Sequence, residues 1–174
     1  MKVICISGKA QHGKDTAAML IEDNLEALGK KVLVIHYADL LKWICQKFFS
    51  WNGEKDEAGR TILQYVGTDT IRKQNEDYWV DFVINFLKMF ETDWDFVLIP
   101  DTRFVNEAEK MRANFDTVVL RIERPGFVSN LSLEQQQHPS ETSLDNYEFD
   151  TVILNESTLE AFKAKITEFV VNLI

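Results

Sequence analysis

Short apolar runs alternate along the chain with longer stretches whose apolar residues recur every three or four positions. A run at 3–7 precedes a helical pattern at about 14–28, and a run at 31–37 precedes another at about 38–51. Runs of four to eight apolar or β-branched residues predict buried strands, and the wider spacing predicts amphipathic helices. The alternation therefore predicts a parallel α/β sheet.

The same pattern returns in the second half. Strands are predicted at 96–99, 117–122 and 151–154, with helices at about 106–114 and 158–173. Five strands with helices between them predict a three-layer α/β/α sandwich around a five-stranded parallel sheet. Ligands of such sheets bind at the carboxyl ends of the strands, so we expect the functional site there.

Two segments interrupt the alternation. Residues 54–92 carry helical patterning and no predicted strand, which indicates an inserted helical unit. Residues 124–148 are polar and weakly patterned, and so long a loop is either a lid or binding loop or a tolerated surface excursion. No linker rich in proline, glycine or serine divides the chain, so we expect one domain over 1–174.

The most specific signal lies between the first predicted strand and helix. The sequence GKAQHGKDT, residues 8–16, has the spacing of a phosphate-binding loop. Backbone N–H groups of such a loop surround phosphates, the helix N-terminus adds partial positive charge, and Lys14 adds a mobile cation. A simple glycine turn explains Gly13 but not Lys14, because a cation at a helix start opposes the helix dipole. We therefore expect a nucleoside triphosphate here.

One position departs from the general loop pattern. Asp15 follows the lysine where a hydroxyl residue is usual, and Thr16 comes one place later. A carboxylate beside a polyphosphate is unfavourable unless it points away or toward a metal. Asp15 is therefore expected either to face back into the protein or to bind helix-capping groups and water.

Charge and composition restrict the partners. The 174 residues carry a formal net charge of −9, which argues against a nucleic-acid polymer or an anionic membrane as partner. An anionic ligand must be captured by local cations. No apolar stretch approaches the roughly 20 residues of a membrane span and no signal-peptide pattern is present, so we expect a cytoplasmic protein. Cys5 and Cys45 are then expected to be reduced core residues.

Candidate chemistry follows the predicted strand 96–99. Asp101 and Arg103 stand just past its end. Because Mg²⁺ prefers oxygen ligands and retains water, Asp101 is expected to hold it through water, with Thr16 as the other metal candidate. Arg103 suits bidentate contact with an acceptor phosphate. The alternative is a surface ion pair between Asp101 and Arg103, with Asp101 capping the next helix.

Other polar residues have two interpretations each. Asp39 stands at a strand end and is either a site residue or a helix N-cap. Polar groups of the helical insertion either clasp a nucleoside monophosphate, with Trp79 or Tyr65 beside its base, or form a solvated face. Arg121 and Arg124 either neutralise a phosphoryl group in transit or pair with Glu123 or Glu134. The acceptor-side candidates are Asp39, Lys42, Arg60, Gln64, Arg72, Trp79 and Arg103.

Several pieces, taken in order, resemble the deoxynucleoside monophosphate kinases of phages and prophages, a branch of the adenylate-kinase-like phosphate-loop kinases. They are residues 7–16, 37–42, 60–69 with Arg72, 101–108, and 138–141 leading to Asn155. Asp15 after the lysine is similar to that family's pattern.

The resemblance implies ATP and Mg²⁺ at residues 8–16, a monophosphate near Asp39 and the arginines, a lid carrying Arg124, Asn155 near the adenine, and a homodimer. The lid is sparse in cations, since Arg124 is the only lysine or arginine between 124 and 162. The catalytic candidates are Lys14, Asp101, Arg103 and Arg124. The ATP-side candidates are Gly8, Lys9, His12, Gly13, Lys14, Asp15, Thr16, Arg121 and Asn155.

The expected function is ATP-dependent phosphorylation of a deoxynucleoside monophosphate to the diphosphate by in-line transfer. One alternative is a kinase of another small acceptor such as dephospho-coenzyme A. The other is a nucleotide-binding interaction protein without turnover. The preferred base is not predicted, because one or two contacts change discrimination by only about 1–3 kcal/mol.

Overall fold

The computed structural model describes residues 1–54 and 56–174. Its five strands form one parallel sheet, as predicted. The strands are β1 (Lys2–Ser7), β2 (Val32–Val34), β3 (Phe96–Ile99), β4 (Asp116–Glu123) and β5 (Thr151–Leu154). They lie in the order β2-β3-β1-β4-β5. Central β1 pairs with β3 and β4, so that Ile4 is level with Leu98 and Val118.

Helices connect the strands. They are α1 (Lys14–Ala27), α2 (Ala38–Phe48), α3 (Glu57–Gln64), a π-helix (Tyr65–Arg72), α4 (Tyr78–Met89), α5 (Val105–Asn114), α6 (Leu133–Gln137), α7 (Pro139–Thr142) and α8 (Leu159–Leu173). Among these described residues, no helix is long and apolar enough to cross a bilayer.

The sheet buries both faces. Val3 and Cys5 of β1 point into a core shared with α2, α4 and α5, whereas Ile4 and Ile6 point into a second core shared with α1 and α8. Because successive side chains of a strand alternate between faces, one continuous apolar run serves both cores. The result is the predicted three-layer arrangement.

Two predicted boundaries are wrong. The second strand ends at Val34 rather than 37, because Tyr37 has helical backbone angles and is the N-cap residue of α2. Helix α2 ends at Phe48 rather than 51, because Ser50 has a positive φ of 54°. The chain then folds back, and the buried Trp51 donates its indole N–H to the Glu54 carbonyl at 2.7 Å.

The predicted helical insertion consists of α3, the π-helix and α4, with no strand in its described part, residue 54 and residues 56–92. The wide π turn brings Gly67 against α2, where an added Cβ would lie 2.5 Å from Leu41 Cδ2. The Gly67 carbonyl accepts a hydrogen bond from Trp79 Nε1 at 3.1 Å. Both contacts hold this segment beside the carboxyl edge of the sheet.

The two cysteines are buried and form no disulfide, as predicted. Burial raises the pKa of Cys5 to about 12. A thiol with so high a pKa is not a nucleophile at neutral pH, and Cys5 is a core residue.

Candidate active site

A cavity of about 350 Å³ lies where the phosphate-binding loop, α2, α3, the π-helix and α7 meet the carboxyl edge of the sheet. It brings together nine predicted residues: Lys14, Asp15, Lys42, Arg60, Gln64, Arg72, Trp79, Asp101 and Arg103. Five of these nine carry positive charge, although the chain has a net charge of −9. The local cations that an anionic ligand requires are therefore concentrated here.

The phosphate-binding loop depends on its two glycines. Gly8 has φ 151°, and a Cβ there would lie 2.5 Å from the Ile122 carbonyl oxygen. Gly13 has φ 102° and is the N-cap residue of α1, where no side chain caps the helix. The first amide groups of α1 are consequently left for an anionic ligand, as a helix N-terminus without a side-chain cap provides.

Lys14 is buried at the start of α1. Its Nζ donates to the Lys9 carbonyl at 2.9 Å. Burial, together with the positive charge of Arg103, lowers the pKa of Lys14 to about 7. The neighbouring Asp15 is exposed and lines the cavity, so the expectation that it faces back into the protein is wrong. A first-turn carboxylate is instead favoured by the helix dipole.

Asp101 fastens the strand end of β3 to α2. Its Oδ1 accepts from Tyr37 N and its Oδ2 from Ala38 N, both at 3.0 Å. The alternative in which Asp101 pairs with Arg103 and caps the next helix is wrong, because it caps α2. Each oxygen retains a second lone pair for a metal-bound water.

Asp39 is not the N-cap of α2, contrary to one expectation. It lies in the first turn, where its carboxylate accepts from His36 N at 3.0 Å and pairs with Lys42 Nζ at 2.9 Å. Burial raises the pKa of Asp39, but Lys42 and the His36 amide lower it by more. Only Lys42 of this pair lines the cavity.

Arg103 contacts α7, which belongs to the predicted lid segment. Its Nη1 donates to the Ser140 carbonyl at 2.9 Å and forms an ion pair with Glu141 Oε1. Glu141 Oε2 accepts the Ala10 amide at 2.9 Å. Our sequence reasoning assigned Glu141 no role, although it stands in the segment 138–141 that resembles the kinases.

Arg72 is held by acceptors of α5. Its Nη2 lies 2.5 Å from Glu107 Oε1, its Nη1 donates to Asn106 at 2.9 Å, and its guanidinium stacks 3.7 Å from the Phe104 ring centroid. Burial raises the pKa of Glu107, and Arg72 lowers it in part. Glu107 also accepts the Arg103 amide at 2.8 Å, so both arginines share one support. Sequence reasoning missed Glu107 as well.

The remaining acceptor-side residues face the cavity from the helical insertion. Trp79 is 5% exposed and lines the cavity, whereas Tyr65, the alternative to it, is 58% exposed and does not. The side chains of Arg60 and Gln64 line the cavity from α3, and neither side chain forms a hydrogen bond to another residue among 1–54 and 56–174. Their polar atoms are thus available to a ligand.

A second group lies on the other side of the phosphate-binding loop. Asn155 donates to the His12 carbonyl at 3.1 Å, and His12 Nδ1 accepts the Arg124 amide at 3.2 Å. The Arg124 guanidinium lies 4.7 Å from the Phe127 ring centroid. Burial lowers the pKa of His12. Asn155 also lies beside Gly13, where an added Cβ would be 2.8 Å from its Nδ2. His12, Arg124 and Asn155 do not line the cavity.

Arg121 and Lys9 share one carboxylate. Arg121 is 6% exposed, with Nη1 3.2 Å from Ser7 Oγ, and its guanidinium lies 3.5 Å from Asp145 and 3.7 Å from Glu123. The expected alternative of a pair with Glu123 is thus present. Lys9 Nζ pairs with Asp145 at 3.0 Å. Gly8, Lys9, Thr16, Asp39 and Arg121 all lie outside the cavity lining.

The five-stranded parallel sheet, with its glycine loop between β1 and α1, is similar in fold to solved kinases. The Mycobacterium tuberculosis APS kinase CysC, in a complex with AMPPNP and APS, has a TM-score of 0.57 at 13% identity, over 99% of this chain and 96% of that one. A dephospho-CoA kinase from Campylobacter jejuni has a TM-score of 0.54 at 12% identity, over 99% and 97%. At these identities the likeness concerns the fold.

The chain belongs to the deoxynucleotide monophosphate kinase family, whose model matches residues 30–166. A deoxynucleotide monophosphate kinase of Enterobacteria phage T4 is 34% identical over 117 residues, which are 66% of this chain and 46% of that protein. In this match the chain spans less than half the length of its relative.

Proposed function

We propose that the protein transfers the γ-phosphoryl group of ATP to a deoxynucleoside monophosphate and releases the diphosphate. The observation that carries the proposal is the single cavity that joins Lys14 of the phosphate-binding loop to Arg103 and to the polar groups of α3 and the π-helix. A transfer reaction between two anionic substrates needs both within one cationic space. Family membership supports the same reaction.

The ATP side is proposed at residues 8–16. The uncapped amides of α1 and Lys14 receive the phosphates, with Lys9 and Arg121 nearby, and Asn155 and His12 lie toward the adenine. The Thr16 hydroxyl and, through water, Asp101 suit Mg²⁺, because both offer oxygen atoms and Asp101 keeps free lone pairs. Bound Mg²⁺ would neutralise charge on the triphosphate.

The acceptor side is proposed on the helical insertion, residues 54–92. Arg60 and Arg103 offer guanidinium groups to the acceptor phosphate, and Arg72 lies close to Arg103 because both are held by Glu107. Trp79 offers its ring face to the base, with Gln64, Lys42 and Asp39 nearby.

The transfer itself requires no covalent enzyme intermediate. An oxygen of the acceptor phosphate attacks the γ-phosphorus of ATP. The bond from this phosphorus to the β,γ-bridging oxygen breaks, and its electron pair leaves with ADP. Lys14 and Arg103 neutralise charge during this step, and Arg124 joins them if residues 124–148 close as a lid. Closure would exclude water and so suppress ATP hydrolysis.

An ADP-release assay with ATP and Mg²⁺ tests the proposal. The panel contains deoxy- and ribonucleoside monophosphates and dephospho-coenzyme A, with Lys14→Ala as control. We expect turnover with one or a few deoxynucleoside monophosphates. Turnover with dephospho-coenzyme A alone, or ATP binding without any turnover, would reject it in favour of another acceptor or a non-catalytic protein. The implied homodimer is checked separately by light scattering.

A further inference from the structure

Glu141 is a buried carboxylate that joins the two halves of the site. Its side chain is 7% exposed. One oxygen accepts the Ala10 amide of the phosphate-binding loop at 2.9 Å, and the other pairs with Arg103 Nη1. A single side chain of α7 therefore touches both the loop proposed for ATP and the arginine proposed for the acceptor phosphate.

The contact with Glu141 holds Arg103 in place and leaves part of its guanidinium group available to a ligand. Nη1 is occupied by Glu141 and the Ser140 carbonyl, whereas a guanidinium has five N–H groups, so Nε and Nη2 remain for a ligand. The Arg103 backbone amide is held as well, by Glu107 Oε2 at 2.8 Å. Arg103 is thus held at its backbone and at one edge of its guanidinium, and its other edge is left for the cavity that it lines.

Charged and polar partners surround the buried Glu141 carboxylate. Arg103 pairs with it directly and Lys14 lies within electrostatic range, while Asp15 and Asp101 are the other acids near Lys14. A buried carboxylate with a cationic partner and an amide donor is compensated for its loss of water. Both carboxylate oxygens of Glu141 therefore have a partner, one in the phosphate-binding loop and one on Arg103.

We propose that Glu141 is a positioning residue that sets the distance and angle between the ATP phosphates and the acceptor phosphate, acting through Arg103. The inference rests on the proposed kinase function. In-line transfer tolerates little misplacement, since a shift of about 1 Å can cost about 100-fold in rate. Glu141 itself touches neither substrate in this role. It should therefore affect kcat rather than the affinity for ATP.

The test is a double-mutant cycle in turnover. Glu141→Gln keeps the volume but removes the charge, and we expect kcat to fall about 10- to 100-fold while the Kd of an ATP analogue, measured by calorimetry, changes less than about twofold. When Glu141→Gln is added to Arg103→Ala, kcat should fall by less than about threefold further, because the arginine that Glu141 positions is already absent. Glu134→Gln, an exposed acid of neighbouring α6, is the matched control and should behave as wild type.

Three results would overturn the inference. They are an unchanged kcat in Glu141→Gln, a full and independent loss in the Arg103→Ala background, and a tighter Kd for the ATP analogue, which would make Glu141 a competitor of phosphate. If Glu141→Gln does not fold, Glu141→Asp is tested instead. It keeps the carboxylate on a side chain shorter by one methylene and must show the same selective fall in kcat. A wild-type protein that turns over no acceptor instead rejects the proposed function itself.

Discussion

The two sides of the cavity are built differently. The phosphate-binding loop comes from nine consecutive residues, 8–16, and its geometry is set by two glycines and the start of α1. The acceptor side is assembled from α2, α3, the π-helix, the end of β3 and α7. Its arginines are held by acids 35 and 38 positions away in sequence, Glu107 and Glu141. The geometry of the first side is set by residues adjacent in sequence, whereas that of the second is set by tertiary packing.

The largest loss of activity is expected from a substitution of Lys14 in the phosphate-binding loop. Lys14→Ala removes the cation at the start of α1, and we expect kcat to fall by about three orders of magnitude or more. The fold should persist, because the sheet and both cores do not depend on this side chain. ADP release measures the loss and circular dichroism checks the fold. Turnover like that of the wild type would remove Lys14 from the site.

A substitution of Arg103 tests whether the acceptor side can be impaired without loss of ATP binding. Arg103→Ala should lower kcat/KM for the monophosphate about 100-fold, since a charged hydrogen bond contributes about 1.5–3 kcal/mol. The Kd of an ATP analogue should stay within about threefold, because the loop amides and Lys14 are intact. Initial-rate kinetics with each substrate varied in turn separates the two effects. An equal loss for both substrates would contradict the division.

Trp79 tests how far the acceptor side depends on packing. Trp79→Phe keeps an aromatic face but removes the N–H that reaches the Gly67 carbonyl. Loss of this hydrogen bond costs about 0.5–1.5 kcal/mol, so the midpoint of thermal unfolding should fall and the KM for the monophosphate should rise. The affinity for ATP should not change. An unaltered midpoint with an unaltered KM would show that the π-helix needs no such support.

The smallest expected effect concerns pH on the ATP side. Because the pKa of Lys14 is about 7 without ligand, a polyphosphate that requires the ammonium form must draw a proton onto it. Binding therefore takes up a proton, and affinity for the MgATP complex should weaken about fivefold from pH 7 to pH 8. Lys14→Arg cannot lose its charge in this range. Calorimetry in two buffers should show proton uptake for the wild type alone; equal uptake by both proteins would exclude Lys14 as its source.

Sequence pattern predicts what depends on neighbouring residues. The alternation of strands and helices, the five-stranded sheet and the glycine loop between β1 and α1 follow from local periodicity and spacing, and the structure has them. The strand predicted at 31–37 is too long because Asp101, 64 positions from Tyr37, holds the Tyr37 and Ala38 amides and starts α2 there. Asp39 has the right residue type for a cap but lies two residues after the N-cap residue, Tyr37.

Ion pairs between residues distant in sequence could not be predicted, because sequence pattern reports only on neighbouring residues. Arg72 and Arg103 could be named as cations near a site. Their partners Glu107 and Glu141 could not, because no spacing rule connects an arginine to an acid more than thirty positions away. The only signal for Glu141 was its place in the segment 138–141. The positioning of the acceptor side has to be read from the three-dimensional arrangement.

Phosphorus NMR of the products shows whether the phosphoryl group reaches the acceptor. The protein is incubated with ATP, Mg²⁺ and the monophosphate that stimulates ADP release most, with Lys14→Ala in parallel. We predict that the γ-phosphoryl group of ATP appears as the β-phosphate of a new deoxynucleoside diphosphate, in equal amount to ADP, with the wild type only. ADP accompanied by inorganic phosphate and no new diphosphate, across the whole panel of monophosphates, would contradict the account.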